Sequence, residues 1–185
     1  MSGPGRVELG RRLVERAYLE GDFVLRSGRR SRYYLDKYRF ETDPVLLACL
    51  GREIARLQRE SAPRAELLAG PELGAVPLAA VAAVETGLPY VIVRKAAKDY
   101  GTANRLEGVY APGQRVCVVE DVVTSGGALL EAVTALRAAG LDVCAAICVV
   151  DREEGGAAAI AAAGVPFHPL FTVSDLGVTI VTQSA

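Results

Sequence analysis

The chain has 185 residues, 51% of them hydrophobic and 23% charged, with a formal net charge of −1. One domain with a full apolar core fits that length, and the balanced charge excludes bulk attraction to DNA or an anionic membrane. No run of about 20 apolar residues is available to cross a bilayer, and no signal-like apolar stretch stands at the N-terminus, so a cytoplasmic protein is expected.

The elements follow in chain order. Apolar residues at helical spacing predict a helix over 6–19, ended by Gly21. Phe23, Val24 and Leu25 precede Ser27-Gly28, and Tyr33-Tyr34-Leu35 follow, which predicts a hairpin-like element over 22–36. Pro44 opens a helix to about residue 60, with Leu46, Leu47, Leu50, Ile54 and Leu57 facing inward. From residue 65 strand and helix alternate. Leu67-Leu68-Ala69 is a short strand stopped by Gly70-Pro71, and a helix runs from there to about residue 86. Tyr90–Val93, Val116–Val119 and Val143–Val150 read as apolar strands. Helices over about 126–139 and 155–163 close at Gly140 and Gly164, and Val165-Pro166-Phe167 begins a last strand. Strands without polar alternation are buried on both faces, so a parallel sheet covered by helices is expected.

Four cysteines, Cys49, Cys117, Cys144 and Cys148, form no C-x-x-C pair, and the single His168 has no companion at metal-ligand spacing. All four are expected as small buried apolar groups, with Cys144, Ala146 and Cys148 on one strand face. Two basic clusters, Arg26, Arg29, Arg30, Arg32 and Arg94, Lys95, Lys98, suit small anions better than nucleic acid, because few aromatic residues interleave them. The second cluster lies in a polar, glycine-containing stretch, 94–108, whose length marks it as functional or mobile.

The stretch 115–128 carries the most chemistry. An apolar strand runs into Glu120-Asp121, then Val122-Val123-Thr124-Ser125-Gly126-Gly127-Ala128 turns the chain into a helix. In a parallel sheet, ligands bind beyond the carboxyl ends of the strands, where the two acids are expected to stand. The glycines let backbone approach a ligand, and the helix N-terminus offers unpaired N–H groups to a phosphate. Vicinal hydroxyls such as those of ribose can donate to the acids, which can also tether Mg²⁺ directly or through water. An aspartate that merely caps the helix is the plainer reading of the same acids.

Val116 to Gly126 resembles the phosphoribosyl-pyrophosphate (PRPP) motif of the type I phosphoribosyltransferases. Three further segments, in the same order, are similar to orotate phosphoribosyltransferases: Phe23 to Asp36, the Arg94–Gly101 loop, and Val150-Asp151-Arg152-Glu153-Glu154-Gly155-Gly156. The resemblance implies an α/β type I phosphoribosyltransferase fold, with a central mostly parallel sheet flanked by helices. It also implies a small hood made by the N- and C-terminal segments. Residues 1–185 would form one domain: hood segment about 1–40, core about 41–168 and C-terminal segment about 169–185.

The implied reaction is orotate and PRPP to orotidine 5′-monophosphate and pyrophosphate in pyrimidine synthesis. Mg²⁺ would be bound mainly through PRPP and water, with no direct protein ligand. The resemblance makes Lys98, Glu120 and Asp121 catalytic. It assigns PRPP to Arg94, Lys95, Lys98, Tyr100, Glu120, Asp121 and the backbone from Val122 through Val123, Thr124, Ser125, Gly126 and Gly127 to Ala128. Orotate falls to Thr124, Arg152, Arg26 and Tyr34. A homodimer sharing the loop between subunits is implied, with no nucleic-acid or membrane partner.

Three positions depart from the family pattern: Tyr100 where His is frequent, Arg26 where Lys is frequent, and Glu72-Leu73 where some members carry Tyr-Lys. The PRPP motif alone leaves open a purine or uracil acceptor. A non-catalytic regulator of nucleic acid would call for an added domain or a basic face.

Overall fold

In the computed structural model, residues 5–24, 30–96 and 105–178 are described. Helix α1 (Arg6–Ala17) buries Leu9, Leu13 and Ala17. It does not continue to residue 19. Tyr18 begins strand β1 (Tyr18–Val24), which pairs antiparallel with β2 (Arg30–Leu35), Tyr18 opposite Leu35 and Leu19 opposite Tyr34. Those ladder bonds and cross-strand contacts outweigh a frayed helix end whose carbonyls have no intrahelical partner. Gly21 therefore ends no helix, and lies where the register shifts between Glu20 and Phe23.

A one-turn helix, α2 (Lys37–Glu41), follows where no element was expected. Helix α3 (Pro44–Ser61) starts as Pro44 predicts, and the Asp43 carboxylate accepts from the Val45 and Leu46 N–H groups at 3.0 and 3.1 Å. The alternation of strand and helix then appears: β3 (Leu67–Pro71), α4 (Ala75–Thr86), β4 (Tyr90–Val93), a two-residue β5 (Leu106–Glu107), β6 (Arg115–Val123), α5 (Gly127–Ala138), β7 (Asp142–Asp151), α6 (Gly156–Ala162) and β8 (Phe167–Thr172).

Among the described residues, β1 and β2 form one small sheet, and the rest form a six-stranded sheet in the order β5-β4-β3-β6-β7-β8. All its pairings are parallel except β4 with β5. Alternate residues feed two apolar clusters. One joins Leu68, Cys117, Val119 and Ile147 to α1, α3 and α4, and the other joins Leu67, Val118, Ala146 and Cys148 to α5 and α6. Leu50 and Leu136, both fully buried, each contribute roughly 1.5–3 kcal/mol of burial free energy.

Helix α1 is tied to the C-terminal segment. The Arg6 guanidinium donates to the Leu170 carbonyl at 2.8 Å and to Asp175 at 2.9 Å, and lies over the Phe171 ring. No helix among the described residues is long and apolar enough to cross a membrane.

Two strand expectations need correction. Strand β3 runs on through Gly70-Pro71, and β6 runs on through both acids to Val123, so Glu120 and Asp121 sit inside the sheet at 6% and 3% exposure. Cys144 is half-buried and does not share a face with Ala146 and Cys148. The β6–β7 register shifts between Val116 and Cys117, so that Val143 pairs with Val116 but Ala145 with Cys117. That extra residue sends Cys144 to the α3 side of the sheet. Burial raises the Cys117 and Cys148 thiol pKa values, as expected of inert core cysteines.

Candidate active site

The end of β6 and the start of α5 build the floor of a cleft of about 690 Å³. Val122 to Ala128 line it along their whole length, with Arg94, Lys95, Arg105 and Glu72 on the opposite wall. Thr124, Ser125, Gly127 and Ala128 are exposed there. Gly126, with φ of 82°, takes the left-handed conformation that turns strand into helix and caps α5 without any side-chain bond. The first N–H groups of α5 are thus free of a side-chain cap and face the cleft, as a phosphate site requires. Behind the turn, a Cβ placed on Gly156 would come within 2.4 Å of Val123 Cγ1 and 2.5 Å of the Thr124 carbonyl. The turn is seated directly on the backbone of α6.

Below the turn, Asp121 is fixed at both oxygens. Its Oδ1 accepts from the Val122 N–H at 2.5 Å, and its Oδ2 pairs with Lys37 Nζ at 2.5 Å. Glu120 Oε1 accepts from the Asp121 N–H at 3.0 Å, while its Oε2 is buried without a partner. Burial, then the Asp121 charge, pushes the Glu120 carboxyl up to about 8. Glu41, one helical turn after Lys37, is also buried and is pushed to about 8 by the same two causes. For Lys37, burial opposes the charge, but Asp121, Glu41 and Glu120 outweigh it and its pKa rises.

The wall opposite the turn starts at the end of β4. Arg94 lies 3.9 Å from Glu72 and 3.5 Å from Glu107, and the Lys95 N–H donates to Glu72 Oε1 at 2.7 Å. Glu72 therefore anchors the start of the cationic segment from the β3–α4 turn. Arg94 and Arg105 close its base, N–H to carbonyl at 2.8 Å in one direction and guanidinium to carbonyl at 3.1 Å in the other. Lys98 and Tyr100 lie outside the described residues, as does Arg26.

Beside the turn, the Arg152 N–H donates to the Val123 carbonyl at 2.8 Å, so the residue after β7 is bound to the residue before Thr124. Its guanidinium, 8% exposed as a residue, reaches the Tyr33 hydroxyl at 3.1 Å and Glu154 at 2.9 Å, and stands over the Tyr33 ring, while its Nε has no partner. Tyr33 stacks in turn on Tyr18, 5.8 Å between ring centres. The structure does not bring Tyr34 to this pocket. Adjacent strand residues point to opposite faces, and Tyr34 packs at 40% exposure on Phe23. Glu153 holds Ser174 through both its N–H and its hydroxyl, tying the C-terminal segment to this corner.

The chain is similar to known proteins in sequence and in fold. The phosphoribosyl transferase domain family matches residues 50–161. The orotate phosphoribosyltransferase of Methanocella arvoryzae is 52% identical over 156 residues, 84% of this chain and 87% of that protein. The chain belongs to the orotate phosphoribosyltransferase family. A crystal structure of Mycobacterium tuberculosis orotate phosphoribosyltransferase with Fe(III) dicitrate superposes at a TM-score of 0.84 with 35% identity, covering 94% of this chain and 99% of that one. A second structure of that enzyme, in complex with PRPP, superposes at 0.80 with 33% identity and the same coverage.

The type I phosphoribosyltransferase fold expected from the motif is therefore present. Of the expected orotate phosphoribosyltransferase residues, those of the turn, Arg94 and Lys95 meet in one cleft, with Glu120 and Asp121 beneath it and Arg152 at its flank. Lys37, Glu41, Tyr33, Arg105 and Glu154 were not foreseen. A Lys37–Glu41 pair four apart was the one signal for the first two, and it is common on any helix.

Proposed function

We propose that this chain transfers the 5-phosphoribosyl group of PRPP to orotate, releasing pyrophosphate and forming orotidine 5′-monophosphate. The observation that carries the reading is the junction at Val123. The turn leaves from it toward the cleft, while its carbonyl accepts from Arg152, whose guanidinium packs against the buried Tyr33. A phosphorylated ribose on the turn and a carboxylated base at Arg152 would share one bond-forming point.

In this reading the α5 N-terminus and Thr124 and Ser125 hold the 5′-phosphate, and Glu120 and Asp121 accept from the ribose hydroxyls. As the bond from C1 of ribose to pyrophosphate breaks, negative charge grows on the leaving oxygens. Arg94 and Lys95 on the far wall are placed to offset it, and Lys98 and Tyr100 join them by resemblance. By the same resemblance, a loop that closes over bound substrates would exclude water that otherwise captures the sugar cation. The orotate carboxylate takes a paired contact on the Arg152 guanidinium, sharing it with Glu154, while by resemblance Thr124 touches the base and Arg26 adds a cation.

For Mg²⁺, Asp121 already pairs with Lys37 and accepts from the Val122 N–H, and Glu120 accepts from the Asp121 N–H. Those donors fit an ion carried by PRPP and water better than one seated on protein ligands. Mg²⁺ there supplies charge neutralisation of the pyrophosphate. A homodimer that shares the loop belongs to the same proposal and is supported by the family pattern. A cytoplasmic location is supported by phosphorylated substrates, whose charge keeps them where they are made.

The test is a base panel with PRPP and Mg²⁺, following pyrophosphate release with orotate, uracil, hypoxanthine and adenine. Turnover on orotate alone is expected. Turnover on a purine with none on orotate would overturn the acceptor assignment, and PRPP binding without turnover on any base would favour a sensor.

A further inference from the structure

Three side chains from two distant parts of the chain, α2 and β6, converge on one point at the start of α4. A Cβ built on Gly74 would meet Asp121 Oδ2 at 1.9 Å, Glu41 Oε1 at 2.7 Å and Lys37 Nζ at 2.9 Å. Gly74 has an ordinary helical conformation, φ −65° and ψ −37°, so glycine is needed there for space and not for backbone freedom. We propose that Lys37 and Glu41 are positioning residues for PRPP, which aim the Asp121 carboxylate at the ribose hydroxyls. The inference rests on the PRPP reading given above and does not depend on which base is the acceptor.

The geometry argues for aim over mere stability. A buried ion pair adds little net stability, and apolar side chains of similar volume often serve as well. Here one cation is set among three carboxyl groups, an expensive arrangement for packing alone. With Oδ1 held by the Val122 N–H and Oδ2 by Lys37, Asp121 cannot rotate, and its remaining lone pairs have fixed directions. An acceptor fixed before the ligand arrives loses no ordering entropy on binding.

Glu41 completes the clamp. Its Oε1 is buried without a hydrogen-bond partner on the same spot as Asp121 Oδ2, and burial and the Asp121 charge raise its pKa, so it crowds the Asp121 carboxylate from the side opposite solvent. Lys37 Nζ, on a side chain 31% exposed against 4% for Asp121, is the side of the clamp nearest solvent.

The test is a double-mutant cycle read by PRPP calorimetry without base and by steady-state kinetics. Lys37→Gln is expected to weaken PRPP about 30-fold, with KM for orotate changed less than about twofold. Lys37→Arg keeps the charge on a differently shaped head and should lose only about threefold. In an Asp121→Asn background, Lys37→Gln should cost less than about twofold more, because its target is gone. Equal losses in both backgrounds would overturn the inference by making Lys37 a direct substrate contact. Unchanged PRPP binding with a lowered melting temperature would overturn it by making the pair structural. Should Lys37→Gln fail to fold, Lys37→Arg decides, since an unchanged PRPP affinity there also overturns it. Glu41→Gln, isosteric with the protonated acid, should lose less PRPP affinity than Glu41→Ala, and the reverse order counts against the clamp. Wild-type protein that binds no PRPP would sink the functional reading itself. Turnover on a base other than orotate would leave the clamp standing.

Discussion

The β6–α5 turn and the Arg152 corner, which the proposed reaction gives to donor and acceptor, are built by opposite means. In the proposed reaction the donor side centres on one contiguous turn, Val122 to Ala128, which offers backbone N–H groups at the head of α5 above the clamped Asp121. The acceptor side is assembled from side chains, with Arg152 reaching Tyr33 across 119 residues of sequence. A backbone site tolerates side-chain exchange but not added bulk behind it. A side-chain site tolerates neighbours but not a change of head group. The two halves should therefore fail differently under mutation.

The largest effect is expected from bulk on the donor side. Gly74→Ala drives a methyl into the Asp121 carboxylate, and PRPP affinity by calorimetry should fall about 100-fold, with orotate affinity unaffected. Loss on both ligands alike would erase the distinction between the halves. Next comes the head group on the acceptor side. Arg152→Lys removes the planar fork, and kcat/KM for orotate should drop about 10- to 100-fold while the PRPP dissociation constant stays within about twofold.

A smaller effect concerns pH. Glu41 and Glu120 titrate near 8 in the fold, against an ordinary value of 4.5 in the unfolded chain. Between those values the folded state holds protons that the unfolded state releases, so stability is fullest below about pH 4.5 on this account and declines as pH rises through 8. The melting temperature of the ligand-free protein should fall by a few degrees from pH 5.5 to 8.5, and Glu41→Gln should flatten that slope. A rising melting temperature over that range would contradict the buried-proton description. The smallest effect is predicted for Ser125→Ala, less than about fivefold on kcat/KM for PRPP, because the amides of the turn remain. A loss as large as that of Arg152→Lys would show that phosphate binding at the turn itself depends on side chains.

The same division explains what could be seen in the sequence. Strand, turn and helix of the donor side are local, so their residue types declared themselves between Val116 and Gly126. The elements of the sheet were legible for the same reason, from unbroken apolar runs at 90–93, 116–119 and 143–150. The acid clamp was not, since Lys37 and Asp121 are 84 residues apart and α2 is too short to show a period. The resemblance points to Tyr34, but adjacent strand residues face opposite ways, and that Tyr33 is the one to meet Arg152 depends on a partner 119 residues away. Cys144 was misplaced by a register irregularity opposite Val116 and Cys117.

Helices α5 and α6 meet at both ends. Near their N-termini, a Cβ on Gly126 would lie 3.3 Å from the Gly156 carbonyl, and near their C-termini the Arg137 guanidinium donates to the Ala163 carbonyl at 3.1 Å. The turn between β6 and α5 takes its shape from this fastened pair. Grafting residues 115–128 alone onto another scaffold should therefore yield a loop with the right letters and the wrong curvature. The smallest portable unit is the pair of β-strands with both helices, and anyone transplanting the proposed phosphate site would have to move residues 115–163 as one cassette.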